Sequence, residues 1–427
     1  MIRDPVVLLD NLVLSLSDSL DLVHPCAVDH QQRVAYVALR LAQAIGYDPS
    51  EQAELMYAAV LHDIGVLSVE EKIETMTVEI EEQGSHMELG ADLLRRFHLF
   101  AKAAEIVRFH HCSWSDEEGW KGAGADVRLS CNAIHLGDSV DRFLRRDAGV
   151  LGQVKSIRDE IARREGKRFA PDLAACFQEL ARQESFWLDL TSPRIYRVLL
   201  DMISWPRVAL RLGELEQIGM IFSRIVDFRS PFTATHSVGV ATAARELAGR
   251  MFFSEKECRL MLVAGFLHDL GKVAVPNAIL DKPAKLDPDE FDVIRAHTYF
   301  THQILSTIGG FEEVTQWAAF HHERLDGDGY PFHLKREELT LGSRIMCVAD
   351  VFTAVTENRP YRRGTGREET VPILLNMVKH GALDENVVKV LMGDYAEIDR
   401  ARAAAQEIYA GDYRKLLCPG PVGPGAG

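Results

Sequence analysis

Histidines recur at two fixed spacings along the chain of 427 residues. The pairs that lie 32 residues apart are His30 with His62 and His236 with His268. The pairs that lie 24 residues apart are His86 with His110 and His297 with His321. Repetition at a fixed period indicates a duplicated structural unit. The sequence therefore predicts two similar domains in tandem, each built around the same set of histidines.

Each copy adds another histidine and two aspartates to these pairs. In the second copy the full set is His236, His268, Asp269, His297, His321, His322 and Asp350. In the first copy it is His30, His62, Asp63, His86, His110, His111 and Asp138. Asp269 lies in a nearly apolar run, 261–270, where a buried carboxylate is costly unless it is paired or binds a metal. Five imidazoles and two carboxylates suit two octahedral ions that keep positions open for water and substrate.

The pattern of apolar residues indicates the fold class. They recur at spacings of three and four, and segments with the alternation typical of β-strands are few. We therefore expect an all-α protein with two tandem helical domains joined by a helical connector. The composition, 47% hydrophobic and 26% charged, supplies apolar material for two cores. We place the domains at 1–194 and 229–415, the connector at 195–228 and a disordered tail at 416–427.

Charge and cysteine usage exclude several classes of function. The formal charge of −15 argues against binding of polymeric nucleic acid, whose phosphates require a basic surface. The seven cysteines are scattered and include no Cys-x-x-Cys pair, so neither a disulfide framework nor a structural zinc site is expected. The sequence contains no run of about 18 apolar residues and no signal-peptide pattern. We expect a cytoplasmic protein without membrane attachment.

A set of motifs around the second ligand set resembles the HD-GYP family, whose members hydrolyse cyclic dinucleotides, chiefly cyclic di-GMP. The motifs are Thr235-His236-Ser237, His268-Asp269-Leu270-Gly271-Lys272, His321-His322-Glu323-Arg324, Gly329-Tyr330-Pro331 and Arg359-Pro360-Tyr361-Arg362. They fall in the order typical of the family and cover about residues 229–415. The resemblance implies an HD-type helical domain in each copy, with the second copy catalytic.

The resemblance also implies how the second copy holds metal. One ion is bound by His236, His268, Asp269 and Asp350, and the other by Asp269, His297, His321 and His322. Asp269 bridges the ions and is one of the catalytic residues. Some family members bind a third ion through a glutamate four residues before the first ligand, but Phe232 stands at that position here. We therefore expect two divalent ions, iron or manganese, with cobalt and nickel left open.

Four further residues are candidates for contact with the substrate by the same resemblance. Lys272 is also a catalytic candidate, because its charge can bind a phosphate oxygen or assist the leaving oxygen. The others, assigned to substrate binding, are Arg362, Arg324 and Tyr330. In the first copy Val66 replaces Lys272 and the Gly-Tyr-Pro turn is missing. The first copy is therefore interpreted as a degenerate domain with a regulatory role.

An isolated buried histidine is more often a hydrogen-bonded core residue than a metal ligand. Seven ligand residues in the family's order, together with the Gly-Tyr-Pro turn, make that explanation implausible for the second copy. The first copy is a second candidate metal site. For this copy, the alternative that the histidines and aspartates are kept only for packing stays open.

The leading hypothesis is hydrolysis of cyclic di-GMP to linear pGpG, with further cleavage to GMP left open, in bacterial second-messenger signalling. Cyclic GMP-AMP is an alternative substrate, since nothing in the sequence reads base identity. A nucleotide phosphohydrolase and a non-enzymatic scaffold that binds metal and partner proteins are the other hypotheses. The cyclic dinucleotide is the expected partner. A diguanylate cyclase bound at the Gly-Tyr-Pro turn and a homodimer are further candidates.

Overall fold

The computed structural model of the protein describes residues 6–22, 27–66, 85–229, 234–282, 284–358 and 363–417. Secondary structure in these ranges is helical, and their β-type pairings are limited to two isolated bridges, Leu8 with Ala209 and Glu165 with Phe169. The all-α expectation is confirmed. None of the helices in the described ranges has the length and hydropathy needed to cross a bilayer.

The chain divides into two compact units, an N-terminal unit spanning Leu8–Ala209 and a C-terminal unit that begins at Leu210. The predicted connector, 195–228, contributes to both. Its helix Ile195–Met202 belongs to the N-terminal unit and its helix Leu212–Asp227 to the C-terminal unit. The last helix reaches Leu417, so most of the predicted tail lies outside the described residues.

The described part of the N-terminal unit contains ten α-helices. They are α1 (Leu9–Asp21), α2 (His30–Ile45), α3 (Pro49–Val60), α4 (Ser85–Leu94), α5 (Ala101–Arg108), α6 (Arg128–Phe143), α7 (Val154–Arg163), α8 (Pro171–Leu180), α9 (Glu184–Leu190) and α10 (Ile195–Met202). Two 3-10 helices, His98–Phe100 and Val150–Gln153, join them. Helix α2 packs against α3 and α6 and forms the centre of the unit.

The described part of the C-terminal unit also contains ten α-helices. They are α11 (Leu212–Asp227), α12 (His236–Arg250), α13 (Glu255–Leu267), α14 (Asn277–Leu280), α15 (Pro288–Ser306), α16 (Glu312–Ala319), α17 (Leu341–Thr356), α18 (Arg367–Lys379), α19 (Glu385–Gly393) and α20 (Tyr395–Leu417). A 3-10 helix, Leu270–Ala274, follows α13. Helix α12 packs against α13, α17 and α20 at the centre of the unit.

Two helices that supply ligand residues begin at signals legible in the sequence. Ser254 forms a capping box at the start of α13, in which side chains and backbone N–H groups bond reciprocally. Asp287 does the same at the start of α15, where Pro288 occupies the first turn. These caps fix where each helix starts, and therefore the register that brings His268 and His297 to the centre of the unit.

Small residues let the central helices approach closely. A Cβ added at Gly265 of α13 would lie only 2.4 Å from the Cα of Ala241 of α12. The contact places the C-terminus of α13 beside the N-terminus of α12. Each unit has its first ligand histidine, His30 or His236, at the first position of its central helix.

The glycine that follows each His-Asp dipeptide packs on the backbone of the next ligand helix. A Cβ at Gly271 would lie 2.0 Å from the carbonyl oxygen of His297, and one at Gly65 would lie 2.0 Å from that of His86. In the C-terminal unit the N–H of Gly271 also donates to Thr301 Oγ1 on α15, at 2.9 Å. The turn after the dipeptide and the next ligand helix are therefore held together without space for a side chain.

We expect Gly271→Ala to destabilise the C-terminal unit by about 1–3 kcal/mol, because the added methyl group must push α15 away. Thermal unfolding measures this effect, and Mn²⁺ content reports the accompanying displacement of His297. Gly411→Ala in α20 is the matched control, since nothing lies within 4 Å of its added Cβ. That change should be neutral or stabilising. An equal loss of stability in both variants would contradict the packing argument.

Candidate metal centre

The seven predicted ligands of the second copy lie on or just after the helices of the C-terminal unit. His236 begins α12, His268 caps α13, His297 lies in α15, His321 and His322 follow α16, and Asp350 lies in α17. Their ligand atoms lie within 4.8 Å of one another in three groups. The groups are His236, His268 and Asp350, then His297, His321 and His322, then His268, Asp269 and His321. The first two groups keep apart residues that the resemblance assigns to different ions, and the third contains one histidine from each set.

Asp269 lies between the two groups of histidines, and each of its oxygens faces a different one. Oδ2 lies 3.2 Å from Nε2 of His268. Oδ1 lies 3.4 Å from Nε2 of His297 and 3.8 Å from Nε2 of His321. The carboxylate is 3% exposed, so the histidines replace water as its surroundings. Because a carboxylate can bind one ion through each oxygen, this orientation fits a ligand that bridges two ions.

Backbone carbonyl groups orient three of these imidazoles. Nδ1 of His268, His297 and His321 lies 2.7, 2.6 and 2.7 Å, respectively, from the carbonyl oxygen three residues earlier. A carbonyl oxygen only accepts, so each Nδ1 carries the proton and each Nε2 presents its lone pair to the centre. Nε2 of His297 and Nε2 of His321 face one another at 3.2 Å. A cation between them would replace repulsion of lone pairs by coordination.

These residues fit divalent transition-metal ions. A histidine whose Nδ1 bonds a carbonyl group and whose Nε2 is unprotonated has the usual orientation of a metal ligand. Imidazoles combined with carboxylates suit iron, manganese, cobalt and nickel, among which a donor set alone does not discriminate. The structure therefore provides candidate metal-binding clusters, while the identity and number of the ions stay predictions.

Burial keeps the imidazoles of the second group neutral. It lowers the pKa of His297 to about 3 and holds the pKa values of His321 and His322 below their usual range. His236 differs, because the carboxylates of Glu357 and Asp350 outweigh the effect of burial and raise its pKa to about 10. The second group thus offers lone pairs at neutral pH, and the field at His236 favours a cation.

Glu357, which orients His236, was not predicted from the sequence. Both carboxylate oxygens of Glu357 lie 3.2 Å from Nδ1 of His236, while Nε2 of the same ring faces Asp350 at 3.1 Å. Glu357 in turn accepts a hydrogen bond from Gln406 Nε2 at 3.2 Å. Glu357 follows Asp350 by seven residues, which is two helical turns along the same face. That spacing is the signal that could have identified it.

Lys272 lies beside the ligand cluster, and a residue that the sequence did not point to shapes the 3-10 helix that carries it. Lys272 Nζ donates to Asp269 Oδ2 at 2.6 Å. The guanidinium group of Arg229 donates to the carbonyl oxygens of Lys272 and Val275 at 3.0 and 3.2 Å. Arg229 is buried, and its bonds hold the middle and the C-terminal end of the 3-10 helix Leu270–Ala274. The position of the lysine therefore depends on an arginine more than forty residues away.

The Gly-Tyr-Pro turn lies beside the histidine cluster. The ring centroid of Tyr330 is 4.9 Å from that of His322, and the Tyr330 N–H donates to the His322 carbonyl oxygen at 3.2 Å. Glu323 is buried and accepts the N–H groups of Phe332 and Leu334 at 2.7 and 2.9 Å. This carboxylate fixes the chain after the turn and thereby the position of Tyr330.

Of two arginines predicted to bind substrate, the structure describes Arg324 but not Arg362. Arg324 forms a two-point ion pair with Asp326, at 2.6 and 3.1 Å. Its contact with substrate, like that of Tyr330, stays a prediction. Arg362 lies outside the described residues, as does Phe232, on which the expectation of two ions instead of three depends.

Two segments of the chain match family models described as HD domain. They are residues 27–145 in the N-terminal unit and residues 220–387, most of the C-terminal unit. A Vibrio cholerae protein named 3′3′-cGAMP-specific phosphodiesterase 1 is 31% identical over 389 residues, which is 88% of this chain and 89% of that protein. The chain belongs to the HD-GYP family. Its two HD domains in tandem confirm the predicted family and fold class.

Two further similarities accompany this assignment to the HD-GYP family. A cyclic di-GMP phosphodiesterase of Pseudomonas aeruginosa is 38% identical over 141 residues, 33% of this chain and 34% of that protein. The crystal structure of a cyclic GMP-AMP-specific phosphodiesterase of Vibrio cholerae, V-cGAP3, matches with a TM-score of 0.64 and 24% identity. The match covers 94% of this chain and 98% of that one, so the fold is shared.

The first HD copy also brings its predicted ligands together, and six of the seven fall into two groups. His30, His62 and Asp63 form one group, and Asp63, His86, His110 and His111 form another, each with ligand atoms within 4.8 Å. Asp138, the seventh candidate, joins neither group among the described residues. Val66 stands where the HD-GYP copy has Lys272.

Glu357→Gln should lower the affinity of the His236 group for Mn²⁺ by about 10–100-fold, because the amide no longer supports the imidazole as a charged partner. The unfolding temperature should stay near that of the wild type, since the side chain keeps its shape. Mn²⁺ titration followed by electron paramagnetic resonance measures the affinity. Glu397→Gln is the control, because Glu397 is exposed and pairs with Arg250 on the surface. Unchanged affinity in Glu357→Gln would contradict its role.

Proposed function

We propose that this chain hydrolyses 3′,3′-cyclic dinucleotides in a metal-dependent reaction and that cyclic GMP-AMP is its preferred substrate. The observation that carries the proposal is the placement of Asp269, whose two oxygens face two separate groups of histidines. A shared ligand between two ions is the arrangement expected where the ions lie about 3.5–4 Å apart and act together on a phosphodiester.

The proposed ligands divide between two ions. His236, His268, Asp269 and Asp350 would hold one, and Asp269, His297, His321 and His322 the other. When bound, such ions lower the pKa of a water molecule and stabilise charge on the attacking and leaving oxygens at phosphorus. Hydrolysis adds one water across a P–O3′ bond, with the hydroxyl on phosphorus and the proton on O3′. The product is a linear dinucleotide with a 5′-phosphate.

Lys272 supplies the positive charge that the substrate needs from the protein. Its ammonium group lies at Asp269 and the side chain is 18% exposed, so it stands at the edge of the cluster where a phosphate can reach it. We assign to it the binding of a non-bridging phosphate oxygen or donation of a proton to the leaving O3′. Arg324, Tyr330 and Arg362 are proposed to contact the remainder of the dinucleotide.

The choice of cyclic GMP-AMP is supported by the extent of the similarities. The Vibrio cholerae relative named for 3′3′-cGAMP matches 88% of this chain, across both HD copies. The Pseudomonas aeruginosa relative named for cyclic di-GMP matches 33% of it. Cyclic di-GMP, which the motifs alone favoured, is the second candidate because identity over that shorter segment is higher, at 38%.

Initial rates of the Mn²⁺-loaded chain with the two dinucleotides at equal concentration test the proposal. We expect cyclic GMP-AMP to be converted to linear product faster than cyclic di-GMP. His268→Ala should lose activity toward both, together with bound Mn²⁺. Faster hydrolysis of cyclic di-GMP would overturn the substrate. A chain that holds Mn²⁺ and forms no linear product from either would favour a metal-binding scaffold.

Lys272→Ala should separate catalysis from metal binding. We expect kcat to fall by about 10²–10³-fold, the usual effect of removing one electrostatic contact to the transition state. Mn²⁺ content should stay near that of the wild type, since the lysine binds no ion. Lys282→Ala is the control, because Lys282 pairs with Glu290 away from the ligand groups and should keep both properties. Loss of metal with activity in Lys272→Ala would mean that the lysine supports the ligands instead.

A further inference from the structure

The first histidine of each HD copy faces three carboxylates. Nε2 of His30 lies 3.6 Å from Asp63 and 3.8 Å from Asp138, and its Nδ1 lies 2.7 Å from Asp141. The corresponding contacts of His236 are with Asp269, Asp350 and Glu357. The two copies therefore have the same number of negative charges around this histidine. They differ in the cations that balance them.

In the N-terminal unit, Arg142 forms an ion pair with Asp138. Its Nη2 lies 2.7 Å from Asp138 Oδ2, and the two side chains are 8% and 4% exposed, so the ion pair is buried. Arg142 stands one helical turn after Asp138 in α6. At the same place after Asp350 the HD-GYP copy has Ala354, whose methyl group carries no charge. In the first copy an arginine thus binds the carboxylate that the second copy offers to a metal.

Asp141 is balanced by arginines as well. Arg33 Nε donates to one of its oxygens, and Arg146 Nη2 lies 3.1 Å from the other. Despite burial, these cations and His30 hold the pKa of Asp141 below its usual range. Two of the three carboxylates around His30 therefore have arginine partners. In the HD-GYP copy the cation described beside the corresponding carboxylates is Lys272, on Asp269.

Four other ligand residues of the first copy converge at one place. Asp63, His86, His110 and His111 are all buried, and their ligand atoms lie within 4.8 Å of one another. Nε2 of His86 and of His110 and both ring nitrogens of His111 make no hydrogen bond within the described part of the chain. Nδ1 of His110 lies 2.6 Å from the Val107 carbonyl oxygen, so its Nε2 carries a lone pair. Buried acceptors without a partner are costly, and one coordinated cation satisfies them together.

We propose that the N-terminal unit binds one divalent transition-metal ion through Asp63, His86, His110 and His111, and that Arg142 takes the place of a second ion beside Asp138. Three imidazoles and a carboxylate form a donor set suited to manganese, iron or zinc. The ion ties together the turn after α3, helix α4 and the turn after α5. With Val66 in place of a lysine, the site holds metal without a protein cation for a phosphate.

Counting Mn²⁺ in the full chain tests the ligand set. The protein is stripped with a chelator, reloaded with Mn²⁺ alone, desalted and analysed by mass spectrometry for metal per chain. His86→Ala should hold one Mn²⁺ fewer than the wild type. A loss of none or of two would overturn the single-ion site. If circular dichroism finds this variant unfolded, His86→Gln, which keeps a polar side chain of similar reach, replaces it with the same expected loss.

A matched pair of variants tests the role of Arg142. Asp138→Asn should leave the Mn²⁺ count unchanged, because Asp138 pairs with Arg142 and binds no ion. Asp350→Asn should lower the count by one. Arg142→Ala should raise the count by one, because Asp138 then joins His30 and His62 as a ligand. A loss of metal in Asp138→Asn, or no gain in Arg142→Ala, would overturn the substitution of an arginine for an ion. These metal counts do not depend on hydrolysis. A failure of the metal-site proposal can therefore be told apart from a failure of the proposed activity.

Discussion

A carboxylate buried among imidazoles is the constraint on which the C-terminal unit depends. Asp269 is almost wholly removed from water, and it faces His268 through one oxygen and His297 through the other. An isolated charge in that position would be strongly destabilising. The imidazoles of His268, His297 and His321 can bind a cation beside this carboxylate, since each has its Nδ1 already bonded to a backbone carbonyl group. Folding and metal binding are therefore two aspects of one arrangement.

In both HD copies carboxylates surround the first ligand histidine, but the cations beside those carboxylates differ. Around His236 the carboxylates are placed where metal ions can bind them, and the one cation described beside them is the partly exposed Lys272. Around His30, arginines bind Asp138 and Asp141 directly. A guanidinium group is permanently charged and cannot activate water, so we infer that the exchange keeps the fold and removes the chemistry. We propose that the first copy holds a metal ion without catalysing hydrolysis.

Residue spacing was sufficient to predict which candidate ligands lie close together, because each stands at a helix end or on a helix face whose register repeats in both copies. His268 and Asp350 could be found in this way, as could the all-α fold. Arg229 could not, because its contact with Lys272 lies 43 residues away in the sequence. Glu357 was missed although its spacing from Asp350 was legible, because its partner His236 lies 121 residues away. Arg142 escaped notice for a further reason, since an arginine at the end of a helix is typical of exposed surface. Base identity was not readable because no residue in the sequence indicates which base a bound dinucleotide would carry.

The claim that Asp269 joins two ions is tested most directly by anomalous diffraction from crystals of the Mn²⁺-loaded chain. The account predicts two anomalous peaks in the C-terminal unit, about 3.5–4 Å apart, one on each side of the Asp269 carboxylate. The peak near Oδ2 should be close to His268, and the peak near Oδ1 close to His297. A single peak in the C-terminal unit, or two peaks that do not share Asp269, would contradict it.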